Sequence, residues 1–315
     1  MKKLVFCGTP QFAVPTLEKL VEAGFEIHLV LTQPDRAKGR GLGIVASPVK
    51  EAAMRLNLPV LQPEKVKQNE ELRGRLEEIA PAAIIVVGYG RIIPGWMLKL
   101  PEYGNINLHA SLLPKYRGAA PIQWAIAKGE RVTGVTTMRI DEGLDTGDIL
   151  LQQELAILDE DTAETLSPRL AAIGAELMVE TLRGIASNSI QPRPQKHEEA
   201  TLAPILKKED GRIDFTRSAQ ETYNRLRGFQ PWPGAFTTFR DKTLNITAAK
   251  PGSEKPGSEE VARGQMLVKD QRLFVGCGNG TTLELFEVQP EGKRRMAARD
   301  FVHGYRPQAG EILGN

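Results

Sequence analysis

The chain of 315 residues predicts an α/β protein in two parts, a doubly wound, mostly parallel sheet followed by a small β-barrel. Three observations carry that expectation. The length exceeds that of a usual single domain. Strand and helix signals alternate through the first part, the pattern of parallel strands joined by crossover helices. After a proline-rich stretch the signals change to short strand-like runs separated by Gly, Pro and charged turns. The parts are drawn at 1–189, with a linker at 190–207, and 208–315. With 41% hydrophobic and 25% charged residues the composition is that of a globular protein, which argues against disorder.

The run LVFCG reads as the first strand, VPTLEKLVEAG as a helix with apolar residues at 14, 17, 20 and 21, and EIHLVLT as the second strand. Such a β-α-β opening takes a right-handed crossover between parallel strands, which makes this half Rossmann-like. Ser47 followed by Pro48 reads as the N-cap and first residue of a helix over PVKEAAMRLNL, with the short strand PVLQ after it. The unbroken apolar character of AAIIVVGYG at 82–90 marks a central strand buried on both faces. NINLH at 105–109 is the next strand, then come a helix around PIQWAIAKGE, the strand VTGVTTMRI, and a long amphipathic helix through residues 162–187.

IQPRPQKHEEATLAPILK, at 190–207, has three prolines and no sustained period, so it reads as the linker. Beyond it GRIDF, AFTTF, LNITAAK, QMLVK, RLFVGCG and TTLELFEV are strand-like, with one helix near SAQETYNRLRGF. An OB-like barrel is one fold with such spacing, and it binds nucleic acid.

Several function classes are disfavoured. MKKLVFCGTP carries two lysines, but its apolar run ends after Cys7, too short for a signal peptide or a membrane span, so the cytoplasm is the expected compartment. Cys7 and Cys277 lie in apolar runs without CxxC spacing, and the histidines at 28, 109, 197 and 303 lack HExxH spacing, so no metal is expected. GTPQF lacks the GxGxxG of a dinucleotide site, and the absence of a GxSxG elbow argues against a covalent acyl-enzyme. The net charge of +2 is uneven: residues 1–189 hold 21 Lys+Arg against 23 Asp+Glu, and residues 190–315 hold 20 against 16. A basic second half suits a polyanionic partner, although ordinary variation in surface charge produces the same asymmetry.

The chemistry concentrates in NINLHASLLPKYRG. If the strand runs on past residue 109, Asn107, His109 and Ser111 share one face. A solvated edge gives that pattern too, but the position at the carboxyl end of a strand is where ligands bind in open α/β sheets. DEGLDTGD at 141–148 follows another strand and is expected as a loop at the same end, within reach of the imidazole; a plain surface turn has the same composition. Together, His109 managing protons, Asp145 orienting it and Asn107 donating to an oxyanion are the parts of a direct acyl transfer.

NLHASLLPKYRGAAPIQWAI together with GVTTMRIDEGLDTGDIL resembles the folate-dependent formyltransferases. The resemblance implies catalysis by Asn107, His109 and Asp145. It implies 10-formyltetrahydrofolate as donor, lying along Ser111, Leu112, Leu113 and Pro114 and the loop residues Asp141, Glu142, Gly143 and Leu144, with Val87, Gly88, Tyr89, Gly90 and Ile92 around the pterin. Members of the family share this half and differ in the acceptor, which is glycinamide ribonucleotide, a nucleotide sugar or initiator tRNA.

The stretch TQPDRAKGRGLGIVASPVK at 32–50 resembles the inserted loop of the tRNA-acting members, with Arg40 matching its central arginine, and GFQPWPGAFT and PEGKRRMAARDF match features of their second domain. A solvated loop would explain the composition of 32–50 but not GRG followed by SPVK. This implies initiator methionyl-tRNA as acceptor, met by Arg36, Lys38, Arg40, Lys207, Lys208, Lys293, Arg294 and Arg295, in a monomer with no stable protein partner. A formyltransferase acting on a nucleotide sugar or other small amine would need no basic Gly-rich loop, and a pure RNA-binding module would have no use for Asn107, His109 and Asp145.

Overall fold

Burial of the opening strand sets the core of the first sheet. In a computed structural model described over residues 3–38, 43–252, 261–308 and 310–314, β1 (Lys3–Gly8) is buried at every residue after Lys3. α1 (Val14–Glu22) buries Val14, Leu17 and Leu20, a helical spacing that places them on one face, and β2 (Glu26–Leu31) pairs parallel with β1. A short antiparallel hairpin of β3 (Arg36–Lys38) and β4 (Gly43–Val45) follows. Ser47 then caps α2 (Pro48–Arg55) by accepting from the Lys50 N–H at 3.1 Å, as its position before proline predicts. β5 (Val60–Leu61), α3 (Glu70–Ile79), β6 (Ala83–Val87), α4 (Gly95–Leu98), β7 (Asn105–His109), α5 (Pro121–Ala127), β8 (Val132–Arg139), β9 (Ile149–Ala156) and α6 (Ala163–Ala186) complete the series.

These strands form one seven-stranded sheet in the order β5-β2-β1-β6-β7-β8-β9. It is parallel from β5 through β7 and antiparallel across β7–β8 and β8–β9. The chain runs outward from β1 to β5 and returns to β6 on the other side, so the switch point lies between β1 and β6, at the carboxyl ends Gly8 and Val87. α3 hides Leu72, Leu76 and Ile79 among charges and β9 mixes buried and exposed residues without alternation, so periodicity does not announce either. NINLH forms the expected strand but stops at His109, so Ser111 does not continue its face.

Contacts group Met1–Pro121, Val132–Ala156 and Ser167–Pro204 into one compact unit, and Ile122–Arg131, Ile157–Leu166 and Ile205–Asn315 into a second. Most of the segment expected as a linker thus packs within the first unit: Arg193 exchanges two backbone hydrogen bonds with Ile149 at 2.8 Å, and the Ala203 N–H donates to the Arg117 carbonyl at 2.7 Å. Its prolines lack the donors a continuous ladder needs, which leaves isolated bridges.

The second unit holds α7 (Ala219–Gly228), β10 (Phe236–Phe239), β11 (Lys242–Pro251), β12 (Met266–Lys269), β13 (Arg272–Gly276), β14 (Thr282–Pro290), β15 (Met296–Ala297) and α8 (Ala298–Tyr305). Its antiparallel sheet runs β10-β11-β14-β13-β12, with β15 on β14, and curls into a half-barrel of the OB-like kind. Leu244, Ile246, Leu273, Val275, Leu283 and Leu285 fill it, and Phe301 of α8 meets Phe239 edge-on at 5.2 Å and stacks on Tyr305 at 4.7 Å. GRIDF makes a single bridge, Arg212 to Phe236, instead of the expected strand. Among the described residues no helix is long and apolar enough to cross a membrane, and no cluster of His, Cys, Asp and Glu could hold a metal ion. Cys7 and Cys277 are free and buried; burial pushes both thiols up, Cys277 to about 11.

Candidate active site

The pleat of β7 points Asn105, Asn107 and His109 to one side. Asn105 is buried and donates to the carbonyls of Met97 and Leu98, which ties α4 to the strand. Asn107 is half-buried, and its amide makes no hydrogen bond among the described residues. His109, at the strand end, is only 6% exposed.

Beyond it the chain turns inward under the control of β8 and β9. Thr136 donates to the Ser111 carbonyl at 2.6 Å and accepts from the Leu113 N–H at 3.1 Å; Gln152 donates to the Leu113 carbonyl at 2.9 Å. The Ser111 hydroxyl donates to the Lys115 carbonyl at 2.6 Å, closing the turn. This path brings the Tyr116 carbonyl to 2.9 Å from His109 Nε2. A carbonyl can only accept, so Nε2 carries the proton of that bond and Nδ1 is the nitrogen left to exchange one.

Nδ1 faces Asp145, whose Oδ2 lies 3.7 Å away, too long for a hydrogen bond but within ion-pair distance of an imidazolium. The same Oδ2 accepts from the Gly118 N–H at 2.9 Å. Asp145 sits at φ 51°, in the left-handed region, and the turn before it is built by Asp141, which accepts from the Gly143 N–H at 3.0 Å and the Thr146 hydroxyl at 2.7 Å. Glycine is required at 143 and 147, because a β-carbon would collide with the Thr146 hydroxyl and the Arg139 carbonyl.

His109 and Asp145 are therefore brought together, with Asn107 one pleat period back on the same face. Around the switch point Val87 and Tyr89 are buried, and Gly88 and Gly90 are exposed at φ 55° and 71°. Ile92 is 90% exposed, and burial pushes the Tyr89 phenol up. Gln33, which lies in the stretch 32–50 but has no role expected from the sequence, donates to the Tyr89 and Gly90 carbonyls at 3.0 and 3.1 Å. Ser111 and Leu113 face inward, Leu113 against Met138 and Ile149, while Leu112 and Pro114 are half-buried; Asp141, Glu142, Gly143 and Leu144 are exposed.

Of the expected RNA-contacting cations, Arg36 is exposed and donates to Gln33 at 2.9 Å, and Arg40 lies outside the described residues. Lys38 is placed by its backbone in β3. Lys207 and Lys208 are exposed at the start of a short 3-10 turn, and Lys293, Arg294 and Arg295 are exposed in the turn after β14.

Residues 1–182 match the family described as Formyl transferase, and residues 205–306 match Formyl transferase, C-terminal domain. A protein of Koribacter versatilis named methionyl-tRNA formyltransferase is 64% identical over 311 residues, 99% of this chain and 98% of that one. One of the same name from Acidobacterium capsulatum is 60% identical over 306 residues, 96% of each. Among solved structures, an N-formyltransferase from Helicobacter canadensis in complex with folinic acid and dTDP-3-aminofucose superposes with a TM-score of 0.67 at 20% identity, covering 92% of this chain and all of that one. HypX from Aquifex aeolicus in complex with tetrahydrofolic acid gives a TM-score of 0.62 at 18% identity, over 99% of this chain and 48% of that one.

Proposed function

The chain belongs to the formyl transferase family, and from that premise we infer that it moves the formyl group of 10-formyltetrahydrofolate onto the amino group of methionyl initiator tRNA. The product is N-formylmethionyl-tRNA for translation initiation, a cytoplasmic task. The observation that carries the chemistry is the buried imidazole of His109, one nitrogen tied to the Tyr116 carbonyl and the other turned to Asp145. The choice of acceptor is supported by relatives of that name aligned along nearly the whole chain, second unit included.

The residues at the strand ends suit the donor. The Asn107 amide and Arg91 Nε have no hydrogen-bond partner among the described residues, and Gly88 and Gly90 are exposed beside the latter. Bound there, the folate supplies an electrophilic formyl carbon to the neutral amine of the acceptor. Asn107 donates a hydrogen bond to the formyl oxygen as negative charge develops on it. His109 takes the amine proton and returns one to the departing nitrogen, with Nδ1 as the exchanging atom. Asp145 stabilises the imidazolium formed in between, held for that purpose by the Gly118 N–H. Arg36, Lys38, Arg40 and the cations of the second unit contact RNA, where exposed arginine and lysine neutralise phosphates.

The test offers the protein 10-formyltetrahydrofolate with either charged initiator tRNA or amino sugars linked to nucleotides. Formylation of the methionyl-tRNA, with the small amines left untouched, is the expected result. Efficient formylation of an amino sugar without activity on tRNA would overturn the choice of acceptor.

A further inference from the structure

We propose that Gln195, in the proline-rich segment after α6, is a positioning residue for the transfer, holding the Asp145 loop in its working conformation through a buried link to Arg117. The proposal rests on the catalytic reading of Asp145 above. Gln195 is 6% exposed and Arg117 7%. The Gln195 amide nitrogen donates to the carbonyls of Asp145 at 2.9 Å and Gly147 at 2.7 Å, and its oxygen accepts from Arg117 Nε at 3.1 Å and Nη2 at 2.6 Å. Two carbonyls need donors and a guanidinium needs an acceptor, so a primary amide, in this one orientation, satisfies both sides.

The surrounding bonds show what this link serves. Tyr116, Arg117 and Gly118 are consecutive. The Tyr116 carbonyl fixes His109, the Gly118 N–H fixes the Asp145 carboxylate, and Arg117 between them reaches the Asp145 backbone through Gln195. The three residues are themselves braced by the chain that carries Gln195: the Arg117 N–H donates to the Thr201 carbonyl at 2.8 Å, and the Tyr116 N–H donates to the Thr201 hydroxyl at 2.9 Å. Asp145 occupies the left-handed region, which aspartate tolerates better than most residues but still at a cost, and the two carbonyl bonds from Gln195 lie on its own residue and on Gly147 beyond it. Through one side chain, a segment that reads as a spacer sets the separation of the imidazole and the carboxylate.

The experiment is a double-mutant cycle on the full chain, reading single-turnover formylation, KM for each substrate and the unfolding temperature. Gln195→Met should lower the rate of transfer about 10- to 100-fold, the range expected when a reacting group is misplaced by an ångström, with the donor KM nearly unchanged. In an Asp145→Ala background it should cost nothing further, because the group it positions is gone. If Gln195→Met does not fold, Arg117→Met with Gln195→Met removes both buried partners at once, leaves no stranded charge, and should show the same loss of rate. An unchanged rate in the folded variant, or an equal loss in the Asp145→Ala background, would overturn the proposal. A wild-type rate in Asp145→Ala alone would overturn the catalytic reading, and the proposal with it.

Discussion

Replacing Thr136 by valine keeps the shape of a fully buried side chain and deletes one oxygen. That oxygen joins three groups: it donates to the Ser111 carbonyl at 2.6 Å and accepts from the Leu113 N–H at 3.1 Å and Gln152 Nε2 at 3.0 Å. Gln152 keeps its bond to the Leu113 carbonyl, so two groups, the Ser111 carbonyl and the Leu113 N–H, lose the partner that satisfies them. Each buried polar group left unpaired costs about 1–3 kcal/mol, so the expected loss of stability from the two is about 2–6 kcal/mol. The damage falls on the turn that delivers the Tyr116 carbonyl to His109, so donor affinity and transfer rate should drop with stability, while Thr136→Ser, which keeps the oxygen, should lose far less. Urea unfolding at constant slope and calorimetric titration with a folate analogue measure both. A loss below about 0.5 kcal/mol, the scale of an inconsequential surface change, together with unaltered donor affinity would refute the idea that this hydroxyl organises the turn.

His109→Ala, Asp145→Ala and Asn107→Ala should each cut the transfer rate by about 100-fold or more in folded protein, and near wild-type turnover in any one removes that residue from the mechanism. Arg40→Ala should impair tRNA formylation by about tenfold or more without altering donor affinity, and Arg40→Lys should restore little, since lysine cannot make a bidentate or stacked contact; unchanged tRNA kinetics would reopen the small-amine acceptor. Cys7 and Cys277 are both buried with thiols pushed up by that burial, so a maleimide at pH 8 should label neither until the protein unfolds. Rapid labelling of the native protein, followed by mass spectrometry, would contradict that placement.

Local pattern carried much of this protein. The β-α-β opening, the buried strand ending in Val87, the Ser47 cap and the two stretches bearing Asn107, His109 and Asp145 all follow from periodicities and turn chemistry that act within a few residues. Tertiary structure decided the rest, because the deciding bonds join residues distant in sequence. β7 stops at His109, and Ser111 turns inward because Thr136 and the Lys115 carbonyl claim its polar groups, which no alternation in SLLP announces. Which nitrogen of His109 is free follows from the Tyr116 carbonyl, placed by a turn whose shape the sequence does not spell out. Gln195 lies 78 residues from Arg117 in a stretch without period, and only the folded chain brings its amide between a buried guanidinium and the carbonyls of the Asp145 loop. Periodicity records which face of an element meets the core, whereas the partner of a single buried amide is chosen by where two distant segments pass one another.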